Sequence, residues 1–449
     1  MRRTFLCLAA LCAWLAAAGA SAQVLPQKPG VDKLANGLTV VTIPWRSPGM
    51  AAYFTLVRAG SRDETDKGHT GFAHLFEHLM FRGTKRFPSA VYEAKMQELG
   101  ADNNAFTWFD LTVYSVVAPS EGLPQIIEIE ADRFRNLDFL ESDFKTETGA
   151  VLGEYNMGSA HPELKMDEKL LSTAFTRHTY GHDTIGWLED IKAMPGYFKY
   201  SKRFEKRFYA PDDMFVVVAG DFDRADVLKR IEAAYGDWKL KRAKTRVKLE
   251  PEQNEPRSAH VPWTGPTSPK MIMAYKIPAF KTNADSAALE IVSHLAFGES
   301  SPLFRKLVVE DQKVLSLEAS NGIFAPLSRD PFLFQVQATL KEGTTFAEVQ
   351  AAVDAAIAEV AEGKVPKERI EAVKSNARYG FLLSLETPKD AALTMVALLS
   401  ATGDPSAVDG FGKALEQVTP EDVVRVAKTF LTEKRRTVVT MATAQGGAK

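Results

Sequence analysis

Residues 74 to 78 read HLFEH. On a helix, positions four apart lie on one face, one turn above the other. His74 and His78 could therefore aim imidazole nitrogens at a single ion, as zinc requires of its ligands. Glu77 borders the same face, close enough to act on a zinc-bound water without coordinating the metal. Two histidines at helical spacing are more often an ordinary surface face. A glutamate in this register, in a chain with only 8 histidines, shifts the balance towards the inverted zinc-peptidase motif. Catalytic zinc takes three protein ligands and keeps one position open. The stretch KTETGAVLGEYNMG offers Glu147 and Glu154, seven apart and so on one side of a helix. Gly149 and Gly153 weaken that helix, and two solvated carboxylates are an equal local reading.

The elements that must position these groups follow from periodicity. HLFEH belongs to a helix expected over 70–82 with Thr70 as its N-cap. AAYFTLVRAG, before it, and MFVVVAGDF at 214–222 read as strands, while NNAFTWFDLTVYSVVA is strand-like throughout. Residues 239–258 are almost wholly polar, with two prolines and no apolar period, and mark a linker. After them the pattern restarts. EHLMFRG (77–83) and SHLAFGE (293–299) align, each after a strand, with His294 in the place of His78 and with Glu290 and Ser293 in place of His74 and Glu77. The second half thus carries the scaffold without the chemistry, and His294 reads as a packed helix residue. The expected fold class is α+β: two homologous domains in tandem (23–238 and 259–449), each a mainly antiparallel sheet packed with helices.

With these residues in view, the sequence resembles the pitrilysin/insulinase family of zinc metallopeptidases, whose motif is HxxEH followed further along by a glutamate ligand. The resemblance covers nearly the whole chain after residue 22. It implies one Zn²⁺ per chain on His74, His78 and Glu154, which stands 76 positions after His78, with Glu77 as general base and Glu147 supporting the ligands from behind. GADNNAFTWFDLTVYS resembles the family's edge strand, to which an extended peptide substrate adds as a further strand. Asn104, Ala105 and Phe106 carry that match. FTRHTYGHDTIGWLEDI resembles a non-catalytic block of the family, so His178 and His182 are expected in a packed loop, and with His161 they form no ligand set.

One departure matters. Complete enzymes of the family use an Arg and a Tyr from a C-terminal domain to hold substrate and polarise the scissile carbonyl. Aligned without gaps, those slots fall here on Val308 and Leu315, neither of which donates a hydrogen bond. This points to a division of labour: a zinc-bearing chain working as a heterodimer with a homologous partner subunit that supplies the Arg/Tyr pair, in preference to a homodimer.

Composition agrees with an ordinary globular protein: 45% hydrophobic, 25% charged, net charge −2. That balance offers nothing to a nucleic acid. MRRTFLCLAALCAWLAAAGASAQ has the build of a secretory signal peptide cut after Ala22; the apolar run is too short for a stable membrane anchor. Both cysteines, Cys7 and Cys12, lie within it, so any metal site must use His, Asp or Glu. The expected activity is exported zinc-dependent endopeptidase cleavage of extended or unfolded peptides, periplasmic if the source is Gram-negative. The alternative is a non-hydrolytic peptide-binding or scaffolding subunit.

Overall fold

The computed structural model describes residues 24–25, 27–45, 49–320 and 327–444. The expected signal peptide, with its cysteines, lies outside the described residues. Two sheets organise the chain. The first is built from β1 (Gly30–Lys33), β2 (Thr39–Pro44), β3 (Met50–Val57), β4 (Asp102–Thr107), β5 (Thr112–Pro119) and β6 (Met214–Gly220), in the order β1-β2-β6-β3-β5-β4. The second contains β7 (Arg257–Trp263), β8 (Lys270–Ile277), β9 (Val314–Ser320), β10 (Phe332–Leu340) and β11 (Arg436–Thr443), in the order β7-β11-β8-β10-β9.

Apart from β1, the two sheets are the same design. β2 and β6 pair in parallel, as do β7 and β11, and every other neighbouring pair is antiparallel. The internal repeat read from EHLMFRG and SHLAFGE is therefore a repeat of topology, and the α+β, two-domain architecture holds. Between Gly236 and Pro256 the chain forms neither helix nor strand.

The helices of eight residues or more in the first half are α1 (Phe72–Leu79), α2 (Ser89–Glu98), α3 (Leu123–Asn136), α4 (Glu141–Ser159), α5 (Pro162–Ala174), α6 (Phe198–Phe208) and α7 (Arg224–Tyr235). Those of the second half are α8 (Ala284–Phe297), α9 (Phe346–Ala361), α10 (Lys367–Leu383), α11 (Pro388–Thr402), α12 (Ala407–Gln417) and α13 (Pro420–Phe430). Residues alternate between faces along each strand. On β3, Tyr53 and Val57 pack with Phe72 and Phe76 of α1, while Phe54 and Leu56 join Val396 and Leu399 of α11 in a second core. The second sheet repeats the arrangement in reverse. Ile272, Ala274, Val439 and Met441 pack with Met166 and Leu170 of α5. Each half therefore covers one face of the other's sheet. This explains why central strands such as MFVVVAG are buried throughout rather than alternating.

Polar groups lock the same seam. Arg62 Nε donates to Asp330 at 2.6 Å, His178 Nε2 lies 3.0 Å from the same carboxylate, and Arg329 N–H donates to Asp110 at 3.0 Å. His178 is buried in this joint, and His182 is buried within the first half near Glu64, which is what the packed-loop reading anticipates.

The candidate zinc centre

Helix α1 presents two faces. Phe72, Leu75, Phe76 and Leu79 are buried at the i, i+3, i+4, i+7 spacing of an amphipathic helix. His74, Glu77 and His78 lie on the flank left over. Its start differs from the expectation: the helix begins at Phe72, its N-cap is Gly71, and Met80–Arg82 continue as one 3-10 turn. Thr70 instead ties its hydroxyl to Asp190 at 2.7 Å and accepts the Trp187 N–H at 2.9 Å. Gly71 has φ 87°, and a Cβ there would meet Ile185 O at 2.5 Å, so only glycine serves. The helix N-terminus is satisfied by the buried Glu64, which accepts from Gly71 N–H at 2.8 Å and Ala73 N–H at 2.7 Å.

Helix α4 runs unbroken through Gly149 and Gly153. Phe144, Thr148, Val151 and Tyr155 are buried along one stripe and outweigh the cost of two glycines, about 1 kcal/mol each. Its packing sets Glu147 and Glu154 against α1, two turns apart.

The structure brings His74, His78 and Glu154 together. His74 Nε2 and His78 Nε2 are 3.3 Å apart. Glu154 lies 3.4 Å from the first through Oε2 and 3.5 Å from the second through Oε1. A tetrahedral site with zinc–ligand bonds of about 2.0–2.1 Å has edges of about 3.3–3.4 Å, so the donor set fits zinc in both type and spacing. Glu154 is 39% exposed against 17% and 18% for the histidines, so the triad opens to solvent on the Glu154 side.

Electrostatics prepare the ligands. Burial, with His78 beside it, holds the His74 imidazole down to about 4, keeping it in the neutral form that ligates. Burial also opposes charge on His78, but the Glu147 hydrogen bond and the surrounding carboxylates outweigh it and raise its pKa. His78 Nδ1 is 3.2 Å from Glu147 Oε2. With the proton on Nδ1, Nε2 keeps its lone pair towards the site. Glu147 is itself held by Arg82, whose Nε donates to Oε1 at 2.6 Å. Burial raises Glu147, yet His78 and Arg82 more than compensate and keep it a carboxylate.

Glu77 does not join the donor set. Its Oε2 accepts the Thr107 hydroxyl at 2.7 Å, and burial pushes its carboxyl up, partly offset by that hydrogen bond and by His78. A carboxylate made more basic beside a metal site is suited to take a proton.

The stretch 102–119 is two strands, not one: β4 and β5 pair across a tight turn at Trp108–Leu111, and β4 forms the sheet's open edge. Asn104 O accepts from Ser115 on β5. Ala105 N–H points away from β5 and is held by the Asn104 side chain at 2.8 Å. Along this edge Ala105 and Thr107 face α1 while Phe106 packs on the opposite face.

In the second half, His294 is not a packed residue. Its side chain is 53% exposed and its Nε2 sits 3.0 Å from Glu290 Oε1. Val308 packs against the core and Leu315 is 56% exposed on β9.

Sequence reasoning missed Glu64, Arg82 and Thr107. Arg82 stands four residues after His78, so helical spacing could have placed it near Glu147. Thr107 carried no signal, since its role depends on how β4 packs on α1.

Fold and site define a two-domain α+β protein whose candidate metal site, centred on HxxEH, lies in the first half, the single such cluster among the described residues. Residues 47–186 match the insulinase (peptidase family M16) model and residues 201–377 match the peptidase M16 inactive-domain model; the chain belongs to the M16 family. It is 28% identical over 421 residues to the zinc protease PqqE of Helicobacter pylori, covering 92% of this chain and 93% of that protein. Against the mitochondrial-processing peptidase subunit beta of Blastocladiella emersonii it is 29% identical over 209 residues, 46% of this chain and 44% of the relative. The crystal structure of a protease from Helicobacter pylori superposes with TM-score 0.87 at 26% identity, over 92% of this chain and 99% of that one. The periplasmic protease PqqL from Escherichia coli shares the fold at TM-score 0.74 and 19% identity, over 93% of this chain and 48% of its own.

Proposed function

We propose that the protein is an exported zinc-dependent endopeptidase that hydrolyses extended or unfolded peptides. The observation that carries this reading is the convergence of His74, His78 and Glu154 at 3.3–3.5 Å, with Glu77 beside them and an unpaired strand edge alongside. When bound, zinc supplies a Lewis acid that polarises the scissile carbonyl and makes water nucleophilic near neutral pH. His74, His78 and Glu154 would hold it, and Glu147 with Arg82 keeps His78 oriented. Glu77 takes the proton from the attacking water and returns it to the leaving amine. The edge of β4 offers the Ala105 N–H to a peptide backbone once the Asn104 side chain gives way, so substrates must reach it extended. Folded proteins are poor substrates on this account.

The chain acts, in this reading, as the zinc-bearing subunit of a heterodimer, because Val308 and Leu315 cannot supply the hydrogen bonds that an Arg/Tyr pair would. The signal-peptide build of residues 1–22 supports export, and the Escherichia coli relative is described as periplasmic. The test is cleavage of an unstructured peptide with and without chelator, alone and after co-purification with any homologous partner. Cleavage that chelator abolishes, and that Glu77→Gln abolishes while zinc stays bound, is expected. A chain that binds peptide yet never cleaves in any assembly is instead a non-hydrolytic binding subunit.

A further inference from the structure

Two basic stripes meet on the first half. On α6, Lys199, Arg203 and Lys206 are exposed at the i, i+4, i+7 spacing of one helix face. The opposite face is buried, with Tyr200 and Phe204 packed on Phe72 and Phe76 of α1. The linker supplies the second stripe. It runs as neither helix nor strand, yet it is pinned at both ends. Ala243 N–H donates to Arg207 O at 2.9 Å, and the Glu250 carboxylate accepts the N–H groups of Thr176, Arg177 and His178 at 2.9–3.0 Å. Between these points Lys244, Arg246 and Lys248 are exposed while Thr245 and Val247 are half-buried, the alternation of an extended chain. The Ala243–Arg207 bond sets Lys244 beside Lys206, so the two stripes join into one strip.

None of these six cations has a carboxylate at ion-pair distance among the described residues. The acidic groups nearby are engaged elsewhere: Asp66 holds Arg207 and the Tyr200 hydroxyl, Asp63 and Asp213 hold Arg242, and Glu250 caps the 176–178 turn. Glu205, within the α6 stripe, is half-buried, and burial pushes its carboxyl up. Like charges four apart on a helix repel, so the fold itself gains nothing from the strip. In a chain of net charge −2 it makes a local positive field. At its end Leu249 is 75% exposed. A surface of phosphates with an apolar layer behind it matches both features. A nucleic acid matches only the first, and residues 239–250 carry no aromatic side chain on which bases could stack. We propose that α6 and residues 243–249 form a docking surface for an anionic lipid bilayer, the six cations meeting headgroup phosphates and Leu249 entering the acyl boundary. Such binding is peripheral and reversible, and salt weakens it.

The experiment is co-sedimentation of the zinc-loaded chain from Gln23, the form left by the expected cleavage after Ala22, with lipid vesicles. Vesicles of phosphatidylcholine alone are compared with vesicles containing about one-third phosphatidylglycerol, at about 0.15 M salt. The chain should partition onto the anionic vesicles and not onto the neutral ones. Each lysine or arginine near an anionic surface is worth about fivefold in partitioning. Lys244→Gln, Arg246→Gln and Lys248→Gln together should therefore weaken it about 100-fold, and Lys199→Gln, Arg203→Gln and Lys206→Gln together by a similar factor. Leu249→Gln should cost about tenfold. Lys341→Gln, Lys413→Gln and Lys428→Gln remove the same charge from the second half and should change partitioning by less than about twofold. All ten positions are exposed, so the variants should fold, which circular dichroism checks. Equal partitioning onto both kinds of vesicle, or anionic binding that survives either basic triple, overturns the proposal. So does an equal loss from the second-half triple, which would show only general charge attraction. Binding to a DNA duplex as tight as to the anionic vesicles, with neither responding to Leu249→Gln, overturns it in favour of a nucleic-acid surface.

Discussion

Helices α1 and α8 occupy the same place in two sheets of the same topology, yet only one of them faces a metal-ligand set. In the first half the i, i+4 pair is His74 and His78, and the crossing helix α4 brings Glu154 between them. In the second half the pair is Glu290 and His294, which satisfy each other at 3.0 Å. The cavity beside them, about 450 Å³, is lined from α10 by Val373, Asn376, Ala377, Gly380 and Phe381, none of them acidic; its further carboxylate, Glu299, follows the end of α8 and does not come from the crossing helix. The scaffold alone therefore does not make a site. What differs is that the first half leaves two imidazole nitrogens and a carboxylate facing one point, an arrangement that a cation stabilises, whereas the second half closes its pair internally.

The largest separation between the halves should come from the base. Glu77→Gln is expected to lower peptide cleavage by about 10²–10⁴-fold with zinc content unchanged, in the assembly that supports cleavage. Ser293→Ala, at the equivalent place, should leave the rate alone. Next comes the support behind the ligands. Glu147→Gln frees His78 and should weaken zinc affinity about 10–100-fold, measured by competition with a chelating dye. A smaller response tests whether the motif suffices. Joining Glu290→His to Ser293→Glu rebuilds HxxEH in the second half, but without a carboxylate from α10 the chain should still retain a single zinc after mild chelation; a second tightly held zinc would show that the crossing helix is dispensable.

The smallest effect is a pH dependence confined to the second half. The Glu290 hydrogen bond raises the His294 pKa above its ordinary value. The pair's contribution is thus fully present below the unfolded value of about 6.5 and fades as pH rises through the folded one. Because His294 is half exposed, it should be worth only about a few tenths of a kcal/mol. His294→Ala should therefore destabilise the chain to urea slightly at about pH 5.5 and not at about pH 8.5.

Much of this was legible in the residues. Helical spacing placed His74 and His78 on one side, and the two-turn spacing put Glu147 and Glu154 on another. The family resemblance, not periodicity, joined them. The repeat was visible in seven aligned residues because both copies must pack the same helix on the same sheet. Boundaries were less legible. Thr70 had the side chain of an N-cap, but Asp190 and Trp187 engage it, and Glu64 supplies the cap from a loop. The β4–β5 turn was hidden in one strand-like run because Phe109 and Leu111 are buried there and read as strand residues. The interlocking of the halves, with α5 on one sheet and α11 on the other, had no local signal at all.

Zinc stoichiometry, measured on the purified chain and three variants after identical dialysis against a mild chelator, tests the central claim most directly. The account requires one zinc in the parent and in His294→Ala, and close to none in His74→Ala and Glu154→Gln. Full zinc in either of the last two, or its loss from His294→Ala, would contradict it.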